Sequence, residues 1–205
     1  MENSLISWSH QVLSQIGESN VLLISGGTGS GKTSLAIKLS EVRACHVMTL
    51  DDYFLDECDL DFAIQDEGVR QWETPDCYDW NLVKSNISGL LNGLPTDTPI
   101  RSRISHKRVG FNKGIEIEEN DLLIIEGLYG FHDQVISLLN DMEVSYFKVY
   151  INIDSEIRWH RKYIRDVLDR GESPDNLRSY FDRVVLPAET KFLFGQIDQS
   201  DIVVS

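Results

Sequence analysis

The sequence predicts an α/β protein of three layers, with a five-stranded parallel sheet covered by helices on both faces. Three observations carry that expectation. Five short apolar runs read as buried strands, helical patterns separate several of them, and a glycine-rich phosphate loop joins the first strand to the helix after it. At 205 residues the chain suits one domain spanning 1–205, long enough to bury a substantial core.

Residues 4 to 16 place Leu5, Trp8, Val12, Leu13 and Ile16 at helical spacing, an amphipathic helix to pack on the domain. The expected strands are Val21 to Ser25, Cys45 to Leu50, Leu122 to Glu126, Phe147 to Ile153 and Ile202 to Val204. Helices are expected over Thr33 to Arg43, Asn81 to Leu91, Gln134 to Met142 and Glu156 to Arg170. Asp51 to Trp80 is irregular and acidic. Pro99 to Ile104 and Gly114 to Ile117 read as a hairpin around a basic turn, so residues 52–119 form one elaboration between the second and third strands. Ser173 before Pro174 is an N-cap and first-turn pair, from which a last long helix should run toward Leu186.

Gly26, Gly27, Thr28, Gly29, Ser30, Gly31, Lys32 and Thr33 satisfy G-x-x-x-x-G-K-[ST]. The glycines let successive N–H groups turn inward onto a phosphate. Lys32 brings a positive charge to the terminal phosphates, and the Thr33 hydroxyl can ligate Mg²⁺. Such a local site is needed because the chain as a whole carries a formal charge of −14 and a pI near 4.7, whose field repels nucleotides, nucleic acid and anionic membranes alike. The expected partner is therefore a small molecule, with no nucleic acid and no membrane; self-association into a homo-oligomer stays open. Without a basic start or a long apolar segment, the expected compartment is the cytoplasm. Cys45, Cys58 and Cys77 form no C-x-x-C pair and read as reduced structural thiols.

A phosphate loop alone does not name a reaction, since kinases, ATPases and regulatory switches share it. Ligands of open α/β sheets gather at the carboxyl ends of strands, where Asp51 and Asp52 follow one strand and Glu126 ends another. Phosphoryl transfer to an alcohol needs a base for the hydroxyl proton and a carboxylate for the metal; Asp51 fits the first and Glu126 the second.

LDDYF from Leu50, WETPDCYDW from Trp72, IIEGLYGF from Ile124 and RWHRKYIRDVLDRG from Arg158 together resemble the uridine kinase and phosphoribulokinase family of P-loop kinases. The resemblance runs from about Val21 to the C-terminus. It implies an ATP-dependent, Mg²⁺-requiring transfer of the γ-phosphate to a small-molecule hydroxyl, the acceptors of the family being uridine or cytidine, nicotinamide riboside, pantothenate or ribulose 5-phosphate. By the same likeness Asp51 is the base, with Asp52 as its neighbouring rival, and Thr33 and Glu126 serve the metal. Trp72 and Glu73 stand where the family has an aromatic and a sugar-binding aspartate, though packing explains Trp72 nearly as well.

Residues 156–171 resemble the family's lid, a helix whose cations close over the phosphates. Lys162, Arg165 and Arg170 match lid cations individually, with Arg161 and Arg158 on the same side, whereas Glu172 stands where a further arginine is frequent. Pyrimidine nucleoside kinases carry Y-x-[YF]-x-x-H-x-R on the hairpin. This chain reads RSRISHKR from Arg101 to Arg108, keeping His106 and Arg108 but replacing both aromatics by arginine. A nucleoside is the expected acceptor. Paired arginines keep open an anionic acceptor, such as a sugar phosphate or a pantothenate-like acid, and a nucleotide-binding regulatory module is the reading from another class.

Overall fold

A computed structural model describes residues 2–56, 65–66 and 69–205, with the backbone alone at 65, 66, 69, 70 and 175. Cys58 and part of the acidic elaboration lie outside the described residues; Cys45 and Cys77 are free thiols.

Helix α1 (Glu2–Gln15) leads into strand β1 (Val21–Gly26), helix α2 (Lys32–Ser40) and strand β2 (Cys45–Thr49). After a 3₁₀ turn at Leu50–Tyr53 come two short pieces, β3 (Gln65–Asp66) and β4 (Val69–Arg70), then α3 (Trp80–Leu91) and the hairpin of β5 (Thr96–Arg101) and β6 (Arg108–Ile115). The remainder is β7 (Leu122–Glu126), α4 (Asp133–Asp141), β8 (Tyr146–Ile151), α5 (Ser155–Ile164), α6 (Pro174–Tyr180), α7 (Leu186–Phe192), α8 (Phe194–Gln199) and β9 (Ile202–Val204).

The five expected strands pair in parallel in the order β2-β7-β1-β8-β9. Successive side chains of a strand face opposite ways, and here both faces are covered. Leu22 and Ile24 pack with Leu122 and Ile124 against Trp8, Val12, Leu35 and Leu39 of α1 and α2. Val21 and Leu23 pack with Leu123 and Ile125 against Val83, Ile87, Val135 and Leu139 of α3 and α4. Each side chain so enclosed contributes about 1.5–3 kcal/mol relative to exposure, which is why strands without polar alternation are stable here. The Trp8 indole N–H also donates to the Ser205 carbonyl at 3.2 Å, tying the first helix to the last residue.

Three details differ from expectation. The hairpin strands start and end elsewhere: Thr96 and Thr98 are buried in β5, and Arg108 and Lys113 belong to β6, leaving Ser102–Lys107 as the turn. Gly110 and Asn112 have weak strand propensity, and pairing with β5 overrides it, while Gly114 sits at a register shift with φ 62°. The expected helix to Arg170 stays α-helical only to Ile164, then widens into a π-helical turn at Arg165–Asp169. The last long helix starts at Pro174 as expected, but Ser173 makes no side-chain capping bond. It widens again at Phe181–Val185, just before Pro187, which has no N–H to give to a regular ladder. Among the described residues, no helix is long and apolar enough to cross a membrane.

Candidate active site

Parallel strand register places the site. Ile24, Glu126 and Thr49 are neighbours across β1, β7 and β2, so the residues just beyond them project from one edge of the sheet. Gly26 opens the phosphate loop there, and Asp51 follows two residues after Thr49. Gly31 joins loop to helix at φ 108°, a left-handed conformation that a Cβ would strain. Lys32 starts α2 and donates from Nζ to the carbonyls of Gly26 at 2.9 Å and Gly27 at 3.0 Å. Burial lowers the pKa of its ammonium, against the opposing pull of Glu126, Asp51 and Glu189.

Thr33 Oγ1 donates to Glu126 Oε1 at 2.9 Å. Glu126 is buried, which raises its carboxyl pKa, and the charge of Asp51 adds to that; Lys32, Thr49 and Thr33 act the other way. Hydroxyl and carboxylate thus lie side by side at the foot of the loop, where the Lys32 charge and two threonine hydroxyls partly offset the carboxylate's desolvation.

A cleft of about 1080 Å³ spreads from this point. Thr28, Gly29, Gly31, Lys32 and Thr33 of the loop, Asp51, Glu126, Trp72, Glu73 and His106 line it, together with Arg101 and Arg103 of the hairpin and Arg161, Lys162, Arg165 and Arg170 of the cationic helix and the turn after it; Gly26, Gly27 and Ser30, expected to bind the nucleotide, are not on its wall. Asp51 and Asp52 separate clearly. Asp51 faces the cleft, whereas Asp52 Oδ1 pairs with Arg103 Nη2 at 2.9 Å and accepts from the Arg101 amide at 3.4 Å. Glu73 sits deep in the cleft. Burial pushes its carboxyl up to about 7, Lys162 pulls it back and Asp51 pushes it further. The loop bearing it is fixed by the Tyr129 hydroxyl, which donates to the Glu73 carbonyl at 2.5 Å.

The two hairpin arginines have different fates. The Arg101 side chain is only 6% exposed and is consumed by its own chain: it donates to the Phe54 carbonyl at 2.8 Å, to Asp56 Oδ1 at 3.1 Å, and to the carbonyls of Leu55 and His106. Arg103 pairs with Asp52. Arg108, expected at the site, is not on the cleft wall; its Nη2 reaches Asp79 Oδ2 at 3.3 Å, at the N-cap of α3. His106 does reach the wall, with φ 53° at the hairpin turn and Nε2 3.8 Å from Glu172 Oε1. Arg158, on the expected cationic face, is instead buried against the loop and Ile153.

Sequence reasoning missed Asp166, Glu189 and Tyr180. Asp166 is fully buried and gathers three cations: Lys162 at Oδ2, Arg165 Nε at 2.7 Å and Arg170 Nη1 at 3.2 Å on Oδ1. Its spacing from Lys162 and Arg170, four residues each way, was a readable signal. Tyr180 lines the cleft from α6, and burial raises its phenol far above the ordinary value.

The family model described as "Phosphoribulokinase / Uridine kinase family" matches residues 21–205. A uridine kinase of Anoxybacillus flavithermus is 29% identical over 187 residues, covering 90% of this chain and 84% of that one. One of Deinococcus deserti is 25% identical over 187 residues, covering 90% and 86%. Among solved structures, a "Possible Uridine Kinase" from Bacillus stearothermophilus shares the fold at TM-score 0.68 and 17% identity, over 100% of this chain and 98% of that one. A loop built for phosphate, a cleft with room for a second molecule and a match over nearly the whole chain agree: this is a small-molecule kinase, and it belongs to the phosphoribulokinase / uridine kinase family.

Proposed function

We propose that the protein transfers the γ-phosphate of ATP to a hydroxyl of a nucleoside, with Mg²⁺, and that Asp51 is the base. The observation that carries this reading is a cleft in which Lys32, Thr33 and Glu126 share space with Asp51, Glu73, the cations Arg161, Lys162, Arg165 and Arg170, and the hairpin's Arg101 and Arg103.

Main-chain N–H groups of the phosphate loop hold the phosphates, apart from those of Thr28 and Ser30, which are given to Glu189 and to the Gly27 carbonyl, and Lys32 supplies charge beside them. Thr33 and Glu126 offer hard oxygen donors suited to Mg²⁺. When bound, Mg²⁺ supplies positive charge to the nucleotide oxygens.

Asp51 takes the acceptor proton, because it faces the cleft while Asp52 is engaged by Arg103. Ionised Glu73 accepts two hydrogen bonds at once and so grips vicinal hydroxyls. Trp72 and His106 line the same region and contact the rest of the acceptor. Arg161, Lys162, Arg165 and Arg170 form a lid over residues 156–171 and offset charge spreading onto the equatorial oxygens in the transition state. Residues 52–119 make the acceptor side of the domain; Arg108 supports that side through Asp79 rather than touching the acceptor.

The hairpin favours a neutral acceptor over an anionic one. Arg101 has its donors occupied by chain carbonyls and Asp56, and Arg103 already has a carboxylate partner. Incubation with ATP, Mg²⁺ and a panel of nucleosides, vitamins and sugar phosphates, read by mass gain of the acceptor, tests both points. A phosphorylated nucleoside is the expected product; phosphorylation of sugar phosphates alone would overturn the acceptor assignment.

A further inference from the structure

The phosphate loop is held from outside by a carboxylate that the phosphate chemistry does not call for. Glu189, on α7, directs Oε1 at the loop apex, where it accepts from the Thr28 N–H at 2.9 Å. The same oxygen accepts from Arg158 Nη1 at 2.8 Å, and that nitrogen also donates to the Thr28 carbonyl at 3.1 Å. Arg158 Nε in turn donates to the Ile153 carbonyl at 3.0 Å, just past β8. Thr28 therefore has both its N–H and its carbonyl engaged by one ion pair, whose side chains are 9% and 12% exposed.

The fit is close. A Cβ added to Gly27 would stand 2.2 Å from Arg158 Nη1 and 2.7 Å from Glu189 Oε1, and one added to Gly29 would stand 2.6 Å from the Arg158 carbonyl. The glycines at these two places let the bracket and the loop approach. Arg161 Nη1 adds a bond to the Ser30 carbonyl at 3.2 Å, so the outer rim of the loop is tied to α5 and α7 while its inner rim remains on the cleft.

We propose that Glu189 is a positioning residue for the nucleotide site: through Thr28 and Arg158 it sets the shape of the phosphate loop before a nucleotide arrives. This rests on the loop binding ATP, as inferred above. A loop whose backbone is already held in one shape need not lose that freedom on binding, and the gain appears as affinity. The negative charge of Glu189 does not oppose the phosphates because Arg158 lies against it.

Calorimetric titration of the full-length protein with ATP and Mg²⁺ tests the idea, with steady-state kinetics on uridine alongside. Glu189→Ala leaves the Thr28 N–H and Arg158 without their acceptor. It should weaken ATP binding about tenfold, raise KM for ATP in step, and leave the acceptor KM within about twofold. Glu189→Gln keeps an oxygen acceptor for both donors and should recover most of the affinity. Unchanged ATP binding in Glu189→Ala would overturn the proposal, as would a Glu189→Gln loss as large as that of alanine. If Glu189→Ala does not fold, amide exchange of the unmodified protein decides: a protected Thr28 N–H supports the bracket, and exchange at the rate of an open loop overturns it. Absence of ATP binding in the unmodified protein would instead fail the underlying nucleotide reading.

Discussion

Asp166→Asn is the sharpest perturbation the structure offers. The substitution preserves shape and one acceptor oxygen but removes the buried charge that Lys162, Arg165 and Arg170 surround. Breaking a buried charge cluster by removing one partner costs about 3–5 kcal/mol. The side chain of Arg165 is 37% exposed, so solvent screens its share, and the low end, about 3 kcal/mol, is the expected loss. In a domain of this size each kcal/mol moves Tm by about 2–4 °C, which predicts a fall of about 6–12 °C.

The dependence on pH gives an independent handle. Burial pushes the Asp166 carboxyl up, but hydrogen bonds from Arg165 and Lys162 outweigh it and hold the pKa below the ordinary value. A carboxyl depressed in the folded state stabilises above its unfolded pKa of about 3.9, and the benefit disappears as pH falls through the folded value. Thermal and urea melts of both proteins should therefore differ by a constant amount from about pH 5 to 8 and converge below about pH 4. Equal stability at pH 7, or a gap that persists undiminished at pH 3, would refute the assignment of Asp166 as the charge on which these cations are built.

Other substitutions separate the remaining roles. Asp51→Asn should lower turnover on the order of a hundredfold or more while calorimetric ATP affinity stays near that of the unmodified protein; retained turnover would remove Asp51 as the base. Glu73 is pushed up to about 7, so acceptor KM should fall as pH rises through that value, and Glu73→Gln should abolish the dependence in a KM-against-pH series. Arg101→Ala leaves three carbonyls and Asp56 without their buried partner and should cost about 3 kcal/mol in a urea melt, whereas Arg103→Ala, on a partly exposed pair, should cost less than about 1 kcal/mol. Lys32→Ala should weaken both ATP binding and turnover, measured by calorimetry and initial rates.

The sheet was legible because strands buried on both faces read as apolar runs with no polar interruption, and the loop because its glycines and Lys32 are contiguous. Glu126 and Asp51 were legible from their positions at strand ends, a consequence of parallel topology. Strand order was not, since pairing of β2 with β7 joins residues far apart in the chain. The hairpin boundaries slipped because Gly110 and Asn112 look like turn residues until β5 pairs with them. Arg101 looked like a ligand-binding cation because sequence shows a charge but not the carbonyls waiting for it. Glu189 was invisible for the same reason: its partner Thr28 lies 161 residues away. Asp166 could have been read from its spacing to Lys162 and Arg170, had the acid been weighed with the cations around it.

The two-stranded arm of β5 and β6 shares no hydrogen bonds with the five central strands and is moored instead by Arg101, Asp52 and Asp56. Its exposed residues can thus be exchanged with little effect on the scaffold that carries the nucleotide loop, whereas Thr96, Thr98 and Arg101 are buried and stay. Grafting an arm from a kinase with different taste, with those moorings retained, should redirect which molecule is modified while leaving the donor half intact. On the function proposed above, part of the selectivity is modular, lodged in an appendage and shared with Trp72 and Glu73.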